Sequence, residues 1–441
     1  MSSKYWVILV GALTLFVASC SDDDNPVTPP PNDDTVAPST ITDLTAGQPT
    51  GTTITLTWTA PGDDGDIAEA DHYDIRYATF SITDDNWESA TAVGSPPEPT
   101  VGGAQQSFTV GGLNSNTIYY FAIRAADEVP NWSGTSNVAS ARTHLAGNWT
   151  VYTTLNSELP SDTINDIAIE LYTERYLATA LGLAHLDGTD WSVYDTSGSD
   201  IISNDLMTVA IDGSGIKWIG SRNAGVSSFD GAVFDSLTST NSGLTSNAIR
   251  GIAVDAVDDV WFGTVGGGLC QFDGNIWTDY RTGNSDIHSN IINAISFDDD
   301  GNLWIGFDLG GIDKFDGVNF EHYDASGALS ASQVTSIAAG QTTMWFGSEI
   351  GVFSLSGSSW VNYNSSNSGL AHDLVFCVAV EPSGIKWFGT LNGLCRFDGT
   401  NWTTYTTQNS SLPDNVVRSV QLDSFGNIWI GTEGGLAVFN D

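Results

Sequence analysis

The chain has 441 residues, with 53 Asp and Glu against 13 Lys and Arg, and its formal net charge is −40 at pH 7. A field of this sign repels phosphate backbones, and the sequence has no basic stripe to offset it, which argues against nucleic acid as a partner. The same charge disfavours direct binding of sulfated or uronic polysaccharides unless a divalent cation bridges the two anions.

The first twenty residues have the pattern of an export signal. Lys4 supplies a positive charge, Tyr5 to Phe16 is an apolar run, and Val17-Ala18-Ser19-Cys20 follows. These last four residues resemble the lipobox of bacterial lipoproteins. The resemblance implies that residues 1–20 are a signal peptide and that Cys20 carries a lipid. An ordinary secretory signal with an incidental cysteine is the alternative.

The residues after Cys20 predict the location of the protein. Asp does not follow Cys20 directly, as it commonly does in lipoproteins retained at the inner membrane. Ser21-Asp22-Asp23-Asp24 is similar to the acidic tag that sends lipoproteins of Bacteroidetes-type bacteria to the cell surface. We therefore expect an outer-membrane lipoprotein, exposed at the cell surface, that contacts the membrane only through its lipid. Residues 21–37, rich in Pro and Asp, predict an extended tether.

Residues 38–144 predict a first folded domain. The runs Thr52–Trp58, Tyr73–Tyr77 and Tyr119–Ala125 alternate apolar and polar side chains, which is typical of half-buried β-strands. These strands, with their Trp and Tyr positions, resemble a fibronectin type III domain. The resemblance implies a two-sheet sandwich in which Trp58 fills the core and Tyr119 forms a corner hydrogen bond. The integrin-binding tripeptide Arg-Gly-Asp of that family is absent.

Residues 145–441 are a repeat region. Each of seven units contains an aromatic residue, an aliphatic residue or Phe, and a small residue, and these triplets recur every 41 to 43 positions. The aromatic positions are Tyr176, Trp218, Trp261, Trp304, Trp345, Trp387 and Trp429. A period near forty with several short strands per unit predicts a β-propeller. The units also carry Phe-Asp-Gly and Trp-x-x-Tyr patterns, and together these resemble the two-component regulator propeller family.

The expected fold is therefore all-β, a fibronectin type III sandwich followed by a seven-bladed propeller. The strand from Trp149 to Tyr152 precedes every other strand of the repeat region, whereas the last unit stops at Asp441 after its third strand. We expect this N-terminal strand to complete the last blade, because closure removes the exposed edges of an open array.

Positions where the repeats differ are the candidates for a ligand site, since a site needs asymmetry. Four residues after each repeat aromatic, on the loop between the second and third strands, the sequence has Ala180, Arg222, Val265, Asp308, Glu349, Leu391 and Glu433. These loops share one face of a propeller. Arg222, Asp308, Glu349 and Glu433 are therefore predicted to hold a divalent cation or sugar hydroxyls, with a solvated rim as the alternative.

Residues typical of catalysis are few. The His residues are scattered without a pair at metal-binding spacing, so no catalytic residue and no cofactor is assigned. Cys270, Cys377 and Cys395 are expected to be buried and unbridged. Asp298-Asp299-Asp300-Gly301-Asn302 is similar to a calcium loop but lacks its final Glu, and a turn is expected there.

The leading interpretation is a lipid-anchored surface protein whose propeller binds a carbohydrate or a protein. One alternative is a propeller enzyme of lyase or hydrolase type, similar to streptogramin lyase, with His288 and His372 near the same face. Another is an extracytoplasmic sensor subunit with a separate membrane partner, because propellers of this family often form the sensor of a hybrid kinase. The residues indicate no particular oligomeric state.

Overall fold

The structure is a computed structural model that describes residues 34–47, 49–115, 117–129, 131–143, 147–170, 174–325 and 327–440. Cys20, the expected signal peptide and most of the expected tether lie outside these residues. Across the described ranges, no helix is long and apolar enough to cross a membrane.

The first region is a sandwich of two antiparallel sheets, with strand orders β1-β2-β5 and β4-β3-β6-β7. Its elements are β1 (Thr45–Gly47), β2 (Ile54–Thr59), β3 (His72–Ala78), a 3-10 helix (Asp84–Ser89), β4 (Thr91–Ala92), β5 (Gln105–Val110), β6 (Ile118–Ala126) and β7 (Ala139–Arg142). Trp58 is buried between the sheets and meets Tyr73 edge to face at 5.4 Å. The backbone N–H of Asn114 donates to the Tyr119 hydroxyl at 3.0 Å, which confirms the predicted corner bond.

The repeat region forms seven four-stranded antiparallel sheets within the part of the chain that the structure describes. We number them as blades 1 to 7. The first strands are β9 (Ile164–Glu170), β13 (Leu206–Ile211), β17 (Ile249–Val254), β21 (Ile292–Phe297), β25 (Val334–Ala339), β29 (Val375–Val380) and β33 (Val417–Leu422). First strands of neighbouring blades contact one another, and β33 contacts β9. The first strands therefore form a closed inner ring.

The other strands lie outside this ring. The second strands, which carry the repeat aromatics, are β10 (Glu174–Thr179), β14 (Lys217–Ser221), β18 (Val260–Thr264), β22 (Leu303–Phe307), β26 (Met344–Ser348), β30 (Lys386–Thr390) and β34 (Ile428–Thr432). The third strands are β11 (Gly182–Asp187), β15 (Val226–Phe229), β19 (Leu269–Phe272), β23 (Ile312–Phe315), β27 (Gly351–Ser356), β31 (Gly393–Phe397) and β35 (Leu436–Asn440). The fourth strands of blades 1 to 6 are β12 (Asp190–Tyr194), β16 (Phe234–Leu237), β20 (Trp277–Tyr280), β24 (Phe320–Tyr323), β28 (Ser359–Tyr363) and β32 (Trp402–Tyr405).

Blade 7 takes its fourth strand from the start of the repeat region. This strand, β8 (Asn148–Tyr152), pairs antiparallel with β35, with Tyr152 opposite Leu436. Trp149 packs on Phe439 at 4.7 Å and on Tyr405 at 5.7 Å. The predicted closure is therefore confirmed.

A buried ion pair also joins the two ends of the ring. Arg175 of blade 1 lies 3.0 Å from the Asp423 carboxylate of blade 7, and both side chains are almost fully buried. The Arg175 guanidinium also stacks over Trp429 of blade 7, 4.4 Å from the ring centroid. Each group thus has a partner across the junction, which is the condition under which buried charges are tolerated.

Acidic side chains support the repeat aromatics at the end of the first strands. In five blades of the described structure, a carboxylate six residues before the Trp accepts its indole N–H at 2.7 to 3.1 Å. The pairs are Asp212 with Trp218, Asp255 with Trp261, Asp298 with Trp304, Glu381 with Trp387, and Asp423 with Trp429. The loop similar to a calcium site is one of these turns, because Asp298 already accepts hydrogen bonds from Trp304 and Asn302.

Asp-Gly pairs follow the third strand in several blades, as at Asp398-Gly399 after β31. At this turn the glycine has a positive φ of 101° and Asp398 does not. The Asp398 carboxylate instead accepts the backbone N–H groups of Asn401 and Thr400 at 2.7 and 2.8 Å. These hydrogen bonds, with one from the Asn401 side chain, lower the pKa of Asp398 to about 2. The aspartate therefore caps the turn.

The three cysteines of the repeat region are buried and unbridged, as expected. Burial raises the pKa of the Cys377 thiol to about 12. A thiol with so high a pKa is not a nucleophile near neutral pH, because the thiolate is the reactive form.

Candidate ligand site at the mouth of the propeller ring

Every first strand carries one extra residue near its start. In blade 3, Ile249 pairs with Thr264 and Gly251 with Gly263, so Arg250 is left out of the ladder. Such a β-bulge re-aims the side chain of the extra residue. The seven bulge residues are Asn165, Met207, Arg250, Asn293, Thr335, Phe376 and Arg418.

All seven bulge residues line one cavity of about 400 Å³, which we call the mouth cavity. Its remaining lining residues are Arg222, Gln333, Glu349 and Leu374. Because each blade contributes one bulge residue, the mouth cavity lies where the inner ring opens. A volume of this size is in the range of sites for small ligands. A second cavity of about 220 Å³ shares the bulge residues and is also lined by the residues that follow them.

The bulge positions differ between blades while their neighbours do not. Each bulge residue follows a buried aliphatic side chain, such as Ile249 or Val417, and precedes a small residue, with Asp166 as the exception. The bulge residues themselves include two guanidinium groups, two amides, a hydroxyl, a thioether and a phenyl ring. The asymmetry that a ligand site requires is therefore concentrated in the mouth cavity.

Two of the three arginines of the mouth cavity have acidic partners. Arg418 pairs with Glu433 and lies over the ring of Phe376, 5.6 Å from its centroid. Arg222 is 2.8 Å from the Asp205 carboxylate. The Arg250 side chain makes no ion pair or hydrogen bond with any residue that the structure describes.

Glu349 is likewise unpaired within the described ranges, and its side chain is exposed in the loop between β26 and β27. The mouth cavity thus presents one guanidinium, on blade 3, and one carboxylate, on blade 5, without protein partners.

Amide groups add hydrogen-bonding capacity. The side-chain amides of Asn293 and Gln333 both donate to the Asp308 carboxylate, the former at 3.4 Å. The side-chain oxygen of Asn293 is buried and accepts no hydrogen bond from the described residues. Because buried polar atoms are nearly always hydrogen-bonded, this oxygen is an acceptor that the described residues leave unsatisfied.

The four residues predicted from the loops come together around this cavity. Arg222 and Glu349 line it directly. Asp308 holds Asn293, and Glu433 holds Arg418, so these two acids position lining residues without lining the cavity themselves. Within the described ranges, no group of three or more His, Cys, Asp or Glu side chains is arranged to hold a metal ion.

The bulge residues are not among the residues predicted from the loops. Each one stands between an aliphatic residue and a small residue at the start of a first strand, as in Ile249-Arg250-Gly251 and Val417-Arg418-Ser419. This variable position between two constant ones is the signal that identifies them.

The two histidines considered for catalysis do not line the mouth cavity. His372 accepts a hydrogen bond at Nδ1 from the Leu374 backbone N–H at 2.9 Å. The His288 ring stacks on His322 with centroids 3.9 Å apart, and its backbone N–H donates to Asp313 at 2.8 Å. His322 Nδ1 lies 2.8 Å from the same carboxyl group, and burial raises the pKa of Asp313.

Asp166, the residue after the first bulge, joins three blades. Its carboxylate accepts hydrogen bonds from the Thr208 hydroxyl at 2.9 Å, the Val209 backbone N–H at 3.0 Å and the Ser419 hydroxyl at 3.1 Å. Burial raises the pKa of Asp166, although these hydrogen bonds oppose the shift. Asp166 therefore links blade 1 to blades 2 and 7 where it lines the second cavity.

Comparison with known families agrees with this architecture. A fibronectin type III domain model matches residues 37–140, and a two component regulator propeller model matches residues 286–308 and 411–434. The chain thus contains a fibronectin type III domain and two-component regulator propeller repeats. Exoglucanase A of Cellulomonas fimi is 34% identical over 113 residues, which are 26% of this chain and 11% of that enzyme.

Two solved structures are similar in fold. The extracellular domain of a hybrid two component system from B. thetaiotaomicron superposes with a TM-score of 0.60 at 16% identity, covering 91% of this chain and 51% of that one. Virginiamycin B lyase from Staphylococcus aureus superposes with a TM-score of 0.55 at 14% identity, covering 67% of this chain and all of the lyase. The chain therefore spans about half of the first structure and about a tenth of the curated relative.

Proposed function

We propose that this protein is a lipid-anchored surface protein that binds a carbohydrate or a protein segment in its mouth cavity. In this proposal residues 1–20 are the signal peptide, Cys20 carries the lipid, and residues 21–37 are a tether. The fibronectin type III domain, over residues 38–144, acts as a spacer for the propeller of residues 145–441. The similar fold of a two-component system's extracellular domain supports a location outside the cytoplasm.

The observation that carries the proposal is the concentration of differences at the bulge positions. Repeat architecture favours the same residue at the same place in each blade, as the buried repeat aromatics illustrate. The variation of the side chain among the seven bulge positions is not needed to close the ring. Because all of them line one cavity, recognition of an asymmetric ligand is the function that accounts for them.

The surroundings of Phe376 favour binding. Its ring is only partly buried, although large apolar side chains are usually removed from water. An aromatic ring that lines a cavity together with amides and a hydroxyl is the combination that ligand pockets use, an apolar contact surface with a few polar groups for orientation. Such binding is compatible both with a scaffold protein and with a sensor subunit that acts with a separate membrane partner.

The proposal is tested by a screen with a matched pair of variants. The full-length protein is screened against a glycan array and a peptide library, and each hit is measured by calorimetry with Phe376→Ala and Phe425→Ala. Phe425 lies in the turn between β33 and β34, at the far end of the blades from the mouth cavity. We expect Phe376→Ala to weaken binding at least tenfold and Phe425→Ala to leave it unchanged. Equal effects of the two changes, or a ligand chemically altered during binding, count against a binding role for the mouth cavity.

A further inference from the structure

Arg250 is unusual among the cations of this chain. The chain has 53 acidic side chains for 13 Lys and Arg, so a basic group readily finds an acidic partner. Elsewhere in the described ranges, each Lys and Arg has a charged, hydrogen-bonding or aromatic partner, as Arg175 has Asp423 and Lys386 has Trp345. Among these residues Arg250 alone has none.

The position of Arg250 explains why it stays unpaired. The bulge at Ile249 and Gly251 removes Arg250 from the ladder of β17 and directs its side chain to the cavity that the seven blades share. The unpaired carboxylate at this cavity, Glu349, belongs to blade 5, two blades away. The fold thus holds an unpaired guanidinium and an unpaired carboxylate apart at one opening.

A planar guanidinium selects planar anions. Two parallel N–H groups of arginine match the two oxygens of a carboxylate, and this bidentate pair is roughly twice as strong as a neutral hydrogen bond. The net charge of −40 does not prevent such a contact, because at physiological ionic strength charges farther than about 8 Å are largely screened. The nearby groups therefore decide which ligand binds.

The neutral groups around Arg250 favour a ligand rich in hydroxyl groups. Asn165, Asn293 and Thr335 line the same cavity, and the side-chain oxygen of Asn293 is buried without a donor from the described residues. Glu349 adds a carboxylate that accepts hydroxyl hydrogen bonds. Acceptors of this kind suit the hydroxyl groups of a sugar ring better than the apolar side chains of a peptide.

We propose that the mouth cavity binds a sugar acid, with the sugar carboxylate on Arg250 and its hydroxyl groups on Asn293, Thr335 and Glu349. This inference rests on the proposed function and names its ligand class. It also replaces the cation bridge that the net charge suggested for uronic sugars, because Arg250 contacts the carboxylate directly.

The test compares acidic and neutral sugars on the full-length protein. Calorimetry with di- and trisaccharides of galacturonic and glucuronic acid is set against the same oligomers of galactose and glucose, all in EDTA. We expect the acidic oligomers to bind at least tenfold more tightly and Arg250→Gln to remove this preference. Arg250→Lys should restore part of it, since a lysine keeps the charge but loses the bidentate geometry. Arg281→Gln is the control, because Arg281 is also exposed but already pairs with Asp279.

Several results overturn the assignment. One such result is that neutral and acidic oligomers bind equally well, with binding unaffected by Arg250→Gln but weakened by Phe376→Ala. This result rejects a sugar acid as the ligand and leaves the proposed function intact. If acidic sugars fail to bind in EDTA and bind again when calcium is added, a cation bridge and not direct contact with Arg250 holds the sugar carboxylate. If peptides with a free C-terminal carboxylate bind and their amidated forms do not, the ligand is a peptide C-terminus and not a sugar acid. A screen in which neither sugars nor peptides bind rejects the proposed function itself.

Discussion

The two ends of the first strands differ in how much their side chains vary from blade to blade. At the end away from the mouth, five described blades repeat one hydrogen bond between a carboxylate and the repeat Trp. At the mouth end, the bulge residues differ in chemistry from blade to blade. The repeated end satisfies buried polar groups in the same way each time, so it serves stability. The variable end contributes little to the ladder and faces the shared cavity, which is the site proposed for ligand recognition.

The largest expected effect is on the repeated end of blade 7. Asp423→Ala removes the acceptor of the Trp429 indole and leaves Arg175 buried without its carboxylate. Breaking a buried pair in this way costs about 3–5 kcal/mol in the free energy of unfolding. Asp255→Ala, which removes only a Trp acceptor and two turn hydrogen bonds, should cost about 1–3 kcal/mol. Urea unfolding at pH 7 measures both.

The contrast between the two variants isolates the closing ion pair. If Asp423→Ala destabilises the protein no more than Asp255→Ala, the Arg175 pair does not hold blade 1 to blade 7. Ligand binding at the mouth, measured where both variants remain folded, should be unchanged.

A second effect concerns the pH dependence of stability. Burial raises the pKa of Asp166 above its ordinary value of 3.8, so the folded state binds this proton more tightly than the unfolded state. The contribution of Asp166 to the free energy of unfolding therefore falls as pH rises above about 4, until its folded pKa is passed. Asp166→Asn has no such proton and should gain stability relative to the parent over that interval. Unfolding curves from pH 4 to pH 7 measure the difference.

The turn residue Asp398 is the control, because its pKa is shifted in the opposite direction to that of Asp166. Its pKa is lowered to about 2, so its contribution is present above pH 3.8 and is lost as pH falls towards 2. Asp398→Asn should therefore lose stability relative to the parent at neutral pH, with the loss vanishing in acid. If the stabilities of both variants relative to the parent change in the same direction with pH, burial does not raise the pKa of Asp166.

The sequence predicts the repeated end far better than the variable one. The Trp spacing predicts the propeller because each aromatic is buried at the same register of a second strand. The strand at Trp149 has no earlier strand to pair with, which predicts that β8 pairs with β35. Hydrogen bonds between a carboxylate and a Trp six residues later are local and recur. The all-β class and the order of the two regions follow from these local patterns.

The mouth cavity could be predicted only in part. Arg222 and Glu349, which line it, were predicted as ligand residues because the loops that carry them share one face. Arg250 follows the buried Ile249, and period-two alternation would place it on the opposite face of the strand. Only the register shift in the hydrogen-bond ladder reveals that it joins the cavity. The contact of His288 with His322 and Asp313 is not visible in the sequence either, because it joins a loop to two strands 25 or more residues further along the chain.

The smallest expected effect separates recognition from stability within one part of the ring. Arg250→Gln changes an exposed side chain without partners among the described residues, so the free energy of unfolding should change by no more than about 0.5 kcal/mol. Thr208→Val, at the residue after the bulge of the adjacent blade, removes a donor to the buried Asp166 and should cost about 1–3 kcal/mol. Urea unfolding and sugar binding of both variants test the division. If Arg250→Gln destabilises the protein as much as Thr208→Val, the bulge residues hold the ring together, and their variation no longer indicates a ligand.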